Sequence, residues 1–308
     1  MKNLIYIPAF VFVKVLIFTV SLFPRQVMLF IGRTLGLLTY CTRLFYWAVV
    51  WRNINIVFGG TKTKKEMRKV AKGFYKHVGM SIMEVFYDRP LSEDFVQGRV
   101  EFVGLENFDN ALKKGKGVLG MTAHYGSWEM LGYLMGYKGY SLDSIYNPFK
   151  NPYLDTMMRQ KRARYGGSPI AKENAVVNIL RSLKQNRIVP MLFDQRADVG
   201  EAIEVNFFGR PSRTNKGLAM IALRTGAPVV PFFIERTDRG HRITVHEEVE
   251  LVDTGNRDED IKVNSEKFNA ILEERILAAP EQWYWFLPRW KSGKKRYYPR
   301  PIVRKDSK

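Results

Sequence analysis

An apolar run from Leu4 to Phe23, broken chiefly by Pro8 and Lys14, constrains this chain more than any other stretch. About twenty helical residues at roughly 1.5 Å each match a hydrocarbon core of roughly 30 Å, so the run is long enough for one membrane span or one deep monotopic insertion. A cleaved signal peptide competes with that reading. However, the basic region ahead of the run is one lysine, Lys2, and no A-x-A-like site precedes Pro24, so an uncleaved anchor is expected. Arg25, Arg33, Arg43 and Arg52 all follow the run, and the positive-inside bias then places the bulk of the protein in the cytoplasm. The stretch from Val27 to Val50 is again apolar, with arginines spaced along it; it can pack as a core helix or lie in the headgroup layer. Residues 1–50 are therefore expected as membrane anchor and interfacial helix, and residues 51–308 as a globular body.

A chain of 308 residues can bury a sizeable core. One cysteine, Cys41, excludes an internal disulfide, and His77, His124, His241 and His246 are too scattered for a zinc site. His77 reads as a helix-face residue. The net charge of +19, from 49 Lys and Arg against 30 Asp and Glu, implies attraction to polyanions; charge alone does not choose among nucleic acid, anionic lipid and acidic protein.

Beyond Trp51 the pattern becomes that of a soluble protein. Helical periodicity covers Lys64 to Tyr87, Trp128 to Met135, Asn151 to Tyr165, Ala175 to Gln185, Asn215 to Thr225 and Ile261 to Ala279. Short apolar runs at Val118 to Thr122, Ile188 to Phe193, Pro228 to Ile234 and Arg242 to His246 read as strands. This alternation predicts an α/β fold: a central, mostly parallel sheet flanked by helices, carrying the N-terminal hydrophobic anchor helix.

Gly115, Gly117 and Gly120 satisfy G-x-G-x-x-G, but they lead into a strand, whereas a dinucleotide loop must leave one and open a helix. The informative segment is MTAHYGSWEML, Met121 to Leu131. A strand ends near His124, Gly126 and Ser127 permit a tight turn, and Glu129 opens the next helix. Across such a turn the carboxylate can meet one imidazole nitrogen and leave the other to take a proton from a hydroxyl. Spacing alone also fits a loop histidine beside a helix N-terminal glutamate.

Several blocks resemble the lipid A biosynthesis lauroyl/myristoyl acyltransferase family, within the wider lysophospholipid acyltransferase group. They include Trp51-Arg52-Asn53-Ile54, GKGVLGMTAHYGSWE, KNPYLDTMMRQKRARYGG, MLFDQRADVG, FFGRPSRTNKGLAMIALRTGAPVVP and APEQWYWFLPRWK, in that order over nearly the whole chain. The resemblance implies an O-acyltransferase with His124 as catalytic base and Glu129 as its partner, and Arg164 and Asp194 as substrate-binding positions in the active site. It implies no cofactor and no metal. The expected donor is an acyl carrier protein thioester, and the expected acceptor is an anionic lipid, a lipid A precursor, at the cytoplasmic side of the cell inner membrane. Nucleic acid is not an expected partner. A glycolipid or lysophospholipid acceptor, or a non-catalytic protein that binds anionic lipid, are the alternatives. Trp283, Trp285 and Trp290 read as a core corner or as headgroup contacts, and the basic tail from Lys291 as a solvated end or a further headgroup contact.

Overall fold

The computed structural model describes residues 4–290, so the basic tail from Lys291 lies outside the described residues. Four helices come first: α1 (Ile7–Leu22), α2 (Arg25–Thr42), α3 (Trp47–Phe58) and α4 (Lys64–Phe86). There follow α5 (Glu93–Arg99), β1 (Val100–Val103), α6 (Leu105–Leu112), β2 (Val118–Thr122), α7 (Trp128–Tyr137), β3 (Ile145–Tyr146), α8 (Pro152–Ala163), β4 (Ile170–Ala171), α9 (Ala175–Lys184) and β5 (Ile188–Leu192). The last third holds β6 (Ala202–Phe207), β7 (Arg210–Asn215), α10 (Gly217–Thr225), β8 (Val229–Arg236), β9 (His241–Val245) and α11 (Arg257–Ala278).

The central sheet runs β1-β9-β8-β2-β5. Only the β8–β9 pair is antiparallel, so the sheet is mostly parallel and covered by helices, as its apolar strands require. β2 is buried along its whole length, whereas β5 is an edge strand. Pro190, which has no N–H to give a ladder, sits on that edge. The short pairs β3–β4 and β6–β7 lie outside this sheet. The alternation that predicted an α/β fold is the one observed.

The first helical unit, Leu4–Leu22, has a mean hydropathy of 2.2 and is 6% buried, so its apolar surface lacks the cover that a core helix would have. It is long and apolar enough to cross a membrane. Its carboxyl end is held to the body, because the Arg89 guanidinium donates to the Ser21 and Leu22 carbonyls at 2.6 and 3.0 Å. The second apolar stretch divides into α2 and α3, which meet at 88°. Arg43 and Tyr46 take the left-handed conformation at that corner, at φ 55° and 54°.

α2 packs on α4 at backbone contact. A Cβ on Gly32 would lie 2.5 Å from the Gly79 carbonyl oxygen, and one on Gly36 would lie 2.1 Å from that of Tyr75. α4 begins with a capping box, in which the Thr63 side chain accepts from the Glu66 amide while the Glu66 carboxylate accepts from the Thr63 amide. His77 lies on the buried face of α4, 3.3 Å from the Ser81 hydroxyl, and burial pushes its pKa down to about 3. Trp283 and Trp285 are fully buried, which settles them as core. Asn53, from the Trp51–Ile54 block, ties this corner together by donating to the Trp285 and Leu287 carbonyls at 2.6 and 2.8 Å.

One buried charge joins the layers. The Glu84 side chain on α4 is 1% exposed and contacts Arg25 of α2, Arg236 of β8 and His241 of β9. It also accepts from the Ser127 hydroxyl at 2.6 Å, just ahead of α7. Burial favours the neutral acid, but the Arg236 charge and the other partners hold Glu84 well below the usual carboxylate range. Removing one member of such a group leaves charge uncompensated in a dry site. Glu84→Ala should therefore cost about 3–5 kcal/mol of stability, read as a lowered urea midpoint in detergent; an unchanged midpoint would show that Arg25 and Arg236 find water or other acceptors.

Candidate active site

β2 carries the chain to Thr122, and β5 runs beside it in parallel with Thr122 opposite Leu192. The Phe193 amide donates to the Thr122 carbonyl at 2.8 Å, so the two strand ends leave the sheet side by side. His124 follows one end and Asp194 the other. The His124 Nδ1 lies 2.9 Å from Asp194 Oδ1, and the His124 amide donates to Asp194 Oδ2 at 3.0 Å. The Trp283 indole N–H donates to the same oxygen at 2.9 Å.

This corrects the expected partner. The carboxylate that meets the imidazole is that of Asp194, and Glu129 instead receives a two-pronged bond from Arg162 of α8, at 2.6 and 3.2 Å. The reason is topological: adjacent parallel strands bring their ends together, whereas Glu129 leaves on the first turn of α7. Glu129 still acts on His124 through its charge.

An ionised carboxylate only accepts, so Nδ1 carries the imidazole proton and Nε2 keeps its lone pair; the tautomer is assigned from these bonds. Gln195 Nε2 lies 3.2 Å from His124 Nε2, where an amide N–H can donate. Burial disfavours the imidazolium, but the Asp194 charge and hydrogen bond, with Glu129 behind them, raise the His124 pKa above its ordinary value. Burial likewise disfavours ionised Asp194, and the His124 charge and bond, with the Trp283 and His124 N–H groups, hold its pKa below the usual carboxylate value.

The turn between His124 and Glu129 is fixed from three sides. The Tyr284 amide donates to the His124 carbonyl at 3.1 Å, and the Gly126 amide donates to the Gln282 carbonyl at 2.9 Å. Gly126 has φ 58°, and a Cβ there would lie 1.9 Å from the Ile234 oxygen, so no other residue fits. Ser127 is held by Glu84. The rings of Trp128 and Tyr284 flank the imidazole, with centroids at 5.2 and 6.3 Å.

Beside this turn opens a cavity of about 940 Å³, lined by His124, Glu129 and Arg162 and by apolar side chains including Leu131, Leu142 and Phe232. That volume suits a substrate of drug size or larger. Lys172, Arg196, Lys216 and Arg224 line it as well, against Asp198 and Glu201. Arg164 is not among the lining residues. It pairs with Asp88 at 3.0 Å and is 38% exposed, because two positions along a helix end turn it about 200° from Arg162. Arg162, Gln195 and Trp283 are the site residues that spacing did not reveal. KNPYLDTMMRQKRARYGG marked the right helix but not which arginine faces inward.

An aspartate-backed histidine whose Nε2 lone pair meets only a neutral amide, at the mouth of a largely apolar cavity, belongs to a class of sites that can take a proton from a hydroxyl beside a hydrocarbon chain. Within that class the chain belongs to the bacterial lipid A biosynthesis acyltransferase family, whose model matches residues 2–292. It is 29% identical over 196 residues to a lipid A biosynthesis acyltransferase of Haemophilus influenzae, covering 64% of this chain and 60% of that protein. It is 23% identical over 247 residues to the lipid A biosynthesis lauroyltransferase of Escherichia coli, covering 79% and 78%. A phosphatidylinositol mannoside acyltransferase of Mycobacterium tuberculosis is 24% identical over 190 residues, covering 61% and 58%.

The two-state test of the site is a titration. The His124 ring, followed by NMR, should titrate above about 6.5 in the wild type and below it in Asp194→Asn, where burial acts with the largest opposing charge removed. Equal values in the two proteins would show that the carboxylate does not govern the imidazole.

Proposed function

We propose that this protein is a membrane-attached O-acyltransferase that moves a fatty acyl group from an acyl carrier protein thioester to a hydroxyl of a lipid A precursor. The observation that carries the reading is His124: Nδ1 is tied to buried Asp194 and Nε2 is left with its lone pair, at a cavity large and apolar enough for an acyl chain.

In the reaction, the acceptor hydroxyl displaces the Gln195 amide from Nε2 and gives its proton to that nitrogen as its oxygen attacks the thioester carbonyl. Asp194 stabilises the imidazolium that forms. The carbon–sulfur bond then breaks, the ester remains on the acceptor, and the proton passes from Nε2 to the departing sulfur. Arg162, set at the cavity wall by Glu129, is the cation placed to meet an acceptor phosphate or the developing oxyanion. Glu129 thus acts through Arg162 and through its charge, and the role that resemblance gave to Arg164 passes to Arg162, since Arg162 lines the cavity and Arg164 does not.

The partners follow from charge and surface. A net charge of +19 favours an acidic carrier protein and a phosphorylated lipid, and the arginines that follow α1 support a body on the cytoplasmic side of an inner membrane. The likeness to the mycobacterial phosphatidylinositol mannoside acyltransferase supports a second reading, in which the same chemistry serves another membrane lipid. Offering purified protein one carrier-bound acyl chain and a panel of acceptors separates the two, because only the true acceptor gains the mass of the chain.

His124→Ala should lower the transfer rate by about 10²–10⁴-fold. A variant that transfers at the wild-type rate ends the assignment. Because the base must be neutral and its pKa is raised, wild-type kcat/KM should climb with pH through a value above the ordinary imidazole range, and fall as His124 is protonated below it. A flat profile across that range would place the rate-limiting proton elsewhere.

A further inference from the structure

The apolar helix α1 is held to the body at both ends. At its start the Asn151 side-chain amide donates to the Tyr6 carbonyl at 3.0 Å, and the rings of Phe10 and Tyr153 have centroids 5.6 Å apart. At its end the Ser21 hydroxyl accepts from the Asp88 amide at 3.0 Å, beside the Arg89 bonds to the Ser21 and Leu22 carbonyls. α8 joins these two places. Asn151 caps its first turn, and Lys161 in its last turn donates to the Val85 and Tyr87 carbonyls at 2.6 and 3.2 Å, next to Asp88. α1 and α8 therefore run side by side over the same span. Along it Ile7, Phe10, Val13, Ile17 and Val20, at helical spacing, are covered wholly or in part, while Phe12, Val15 and Phe18 each stay more than half exposed. A helix that is apolar all round has a use for both faces here, one packed on the body and one free.

Length alone lets Leu4–Leu22 cross a bilayer, but its surroundings do not suit a crossing. If α1 stood upright in hydrocarbon, α8 would stand there beside it with Asp155, Arg159, Lys161 and Arg162, and charged groups at that depth are costly. Lys14 points the same way. It is exposed, lies near the middle of the run and has no acidic partner among the described residues, so a crossing would carry it to the bilayer centre, whereas in a helix lying flat its stem reaches the headgroups. No Asp or Glu occurs between Leu4 and Thr63, and Lys14, Arg33 and Arg43 are all exposed, which suits an anionic lipid surface. We propose that α1 does not cross the membrane: it lies along one anionic leaflet, with its free face in the acyl chains and both ends on the side of the body. Phe149, exposed and two residues before Asn151, lines the catalytic cavity, so a flat α1 brings that wall of the cavity to the lipid surface. This rests on the membrane attachment in the function proposed above and is independent of the transfer chemistry at His124.

The test uses the full chain expressed in bacterial cells, with exposed Cys41 changed by Cys41→Ser and single cysteines introduced at three exposed positions, Ile5→Cys, Leu22→Cys and, on α5 of the body, Gln97→Cys. A membrane-impermeant maleimide should label Ile5→Cys and Leu22→Cys from the same side as Gln97→Cys, when spheroplasts are compared with inverted inner-membrane vesicles. Labelling of Ile5→Cys from the side opposite Gln97→Cys overturns the flat helix. A depth measurement decides the matter where lipid shields the ends. Ile5 and Phe12 are seven residues apart and both exposed, so spin labels at Ile5→Cys and Phe12→Cys should report the same depth in vesicles of phosphatidylglycerol and phosphatidylethanolamine. A crossing helix would set Phe12 deeper by about 10 Å, from seven residues at roughly 1.5 Å each, and that result also overturns the flat helix. Wild type that stays in the aqueous phase with these vesicles, or whose α1 cross-links to a second copy instead of entering them, overturns the leaflet as the occupant of this face. Acyl transfer in the acceptor panel is read separately, so loss of the flat helix leaves the acyltransferase reading intact.

Discussion

The fold is organised around a carboxylate that water does not reach. Glu84 on α4 draws Arg25, Arg236, His241 and Ser127 to one point, and those residues come from α2, two strands of the sheet and the start of α7. Isolated in a low-dielectric interior, any of these charges would be costly. Together they fix the distance between the helical layer and the sheet. Arg25 follows the apolar helix after two residues, Phe23 and Pro24, so the same cluster connects this exposed apolar segment to the turn that carries His124. A second buried carboxylate, Asp194, grips the other end of that turn. Glu84 holds Ser127 and Asp194 holds His124, and the imidazole is left little freedom except to offer Nε2 to the cavity.

What the sequence disclosed was whatever depends on neighbours along the chain. The periodicity of Lys64 to Tyr87 gave α4, because its apolar positions recur at helical spacing and Thr63 and Glu66 cap its start. The strand at Val118 to Thr122 matched β2 residue for residue, since a fully buried parallel strand is a continuous apolar run. The glycine pattern leads into a strand as expected: β2 starts at Val118, after Gly117, and takes in Gly120, while a Cβ on Gly117 would lie 2.7 Å from Leu183. His124 was legible as a strand-end residue before a tight turn. Its partner was not, because Asp194 is 70 positions away and becomes adjacent only once β5 lies beside β2. A local search therefore found Glu129, the carboxylate near in sequence. The 88° corner between α2 and α3 was hidden for another reason: Arg43 and Tyr46 adopt left-handed backbone without the glycine that usually announces it.

The distribution of charge and apolar surface divides the molecule by partner. Apolar side chains stand exposed along α1 and α2, among them Phe12, Phe18, Phe30 and Leu38, and again at the 44–46 corner. Exposed groups of this size on adjoining elements are the mark of a surface meant for lipid or another apolar neighbour. A second set of basic residues, Lys172, Arg196, Lys216 and Arg224, lines the cavity, within one Debye length of anything seated there. On the proposed function, a lipid acceptor could then stay seated in its membrane while its polar part is drawn toward these side chains.

The proposed chemistry asks two things of His124 that pull against each other. A base works best when its conjugate acid is stabilised, which the Asp194 charge provides, yet it must be neutral when the substrate arrives. Burial supplies the opposing push, disfavouring the imidazolium in the resting site. The surplus on the side of Asp194 leaves a base stronger than a free imidazole. A thioester donor, as in the proposed function, would justify that bias. Sulfur leaves readily and needs little acid assistance, so the demanding step is removal of the hydroxyl proton, and a site tuned toward basicity is tuned to that step. The neutral Gln195 amide at Nε2 fits the same logic, since it satisfies the lone pair between turnovers without adding a charge that an incoming hydroxyl would have to displace.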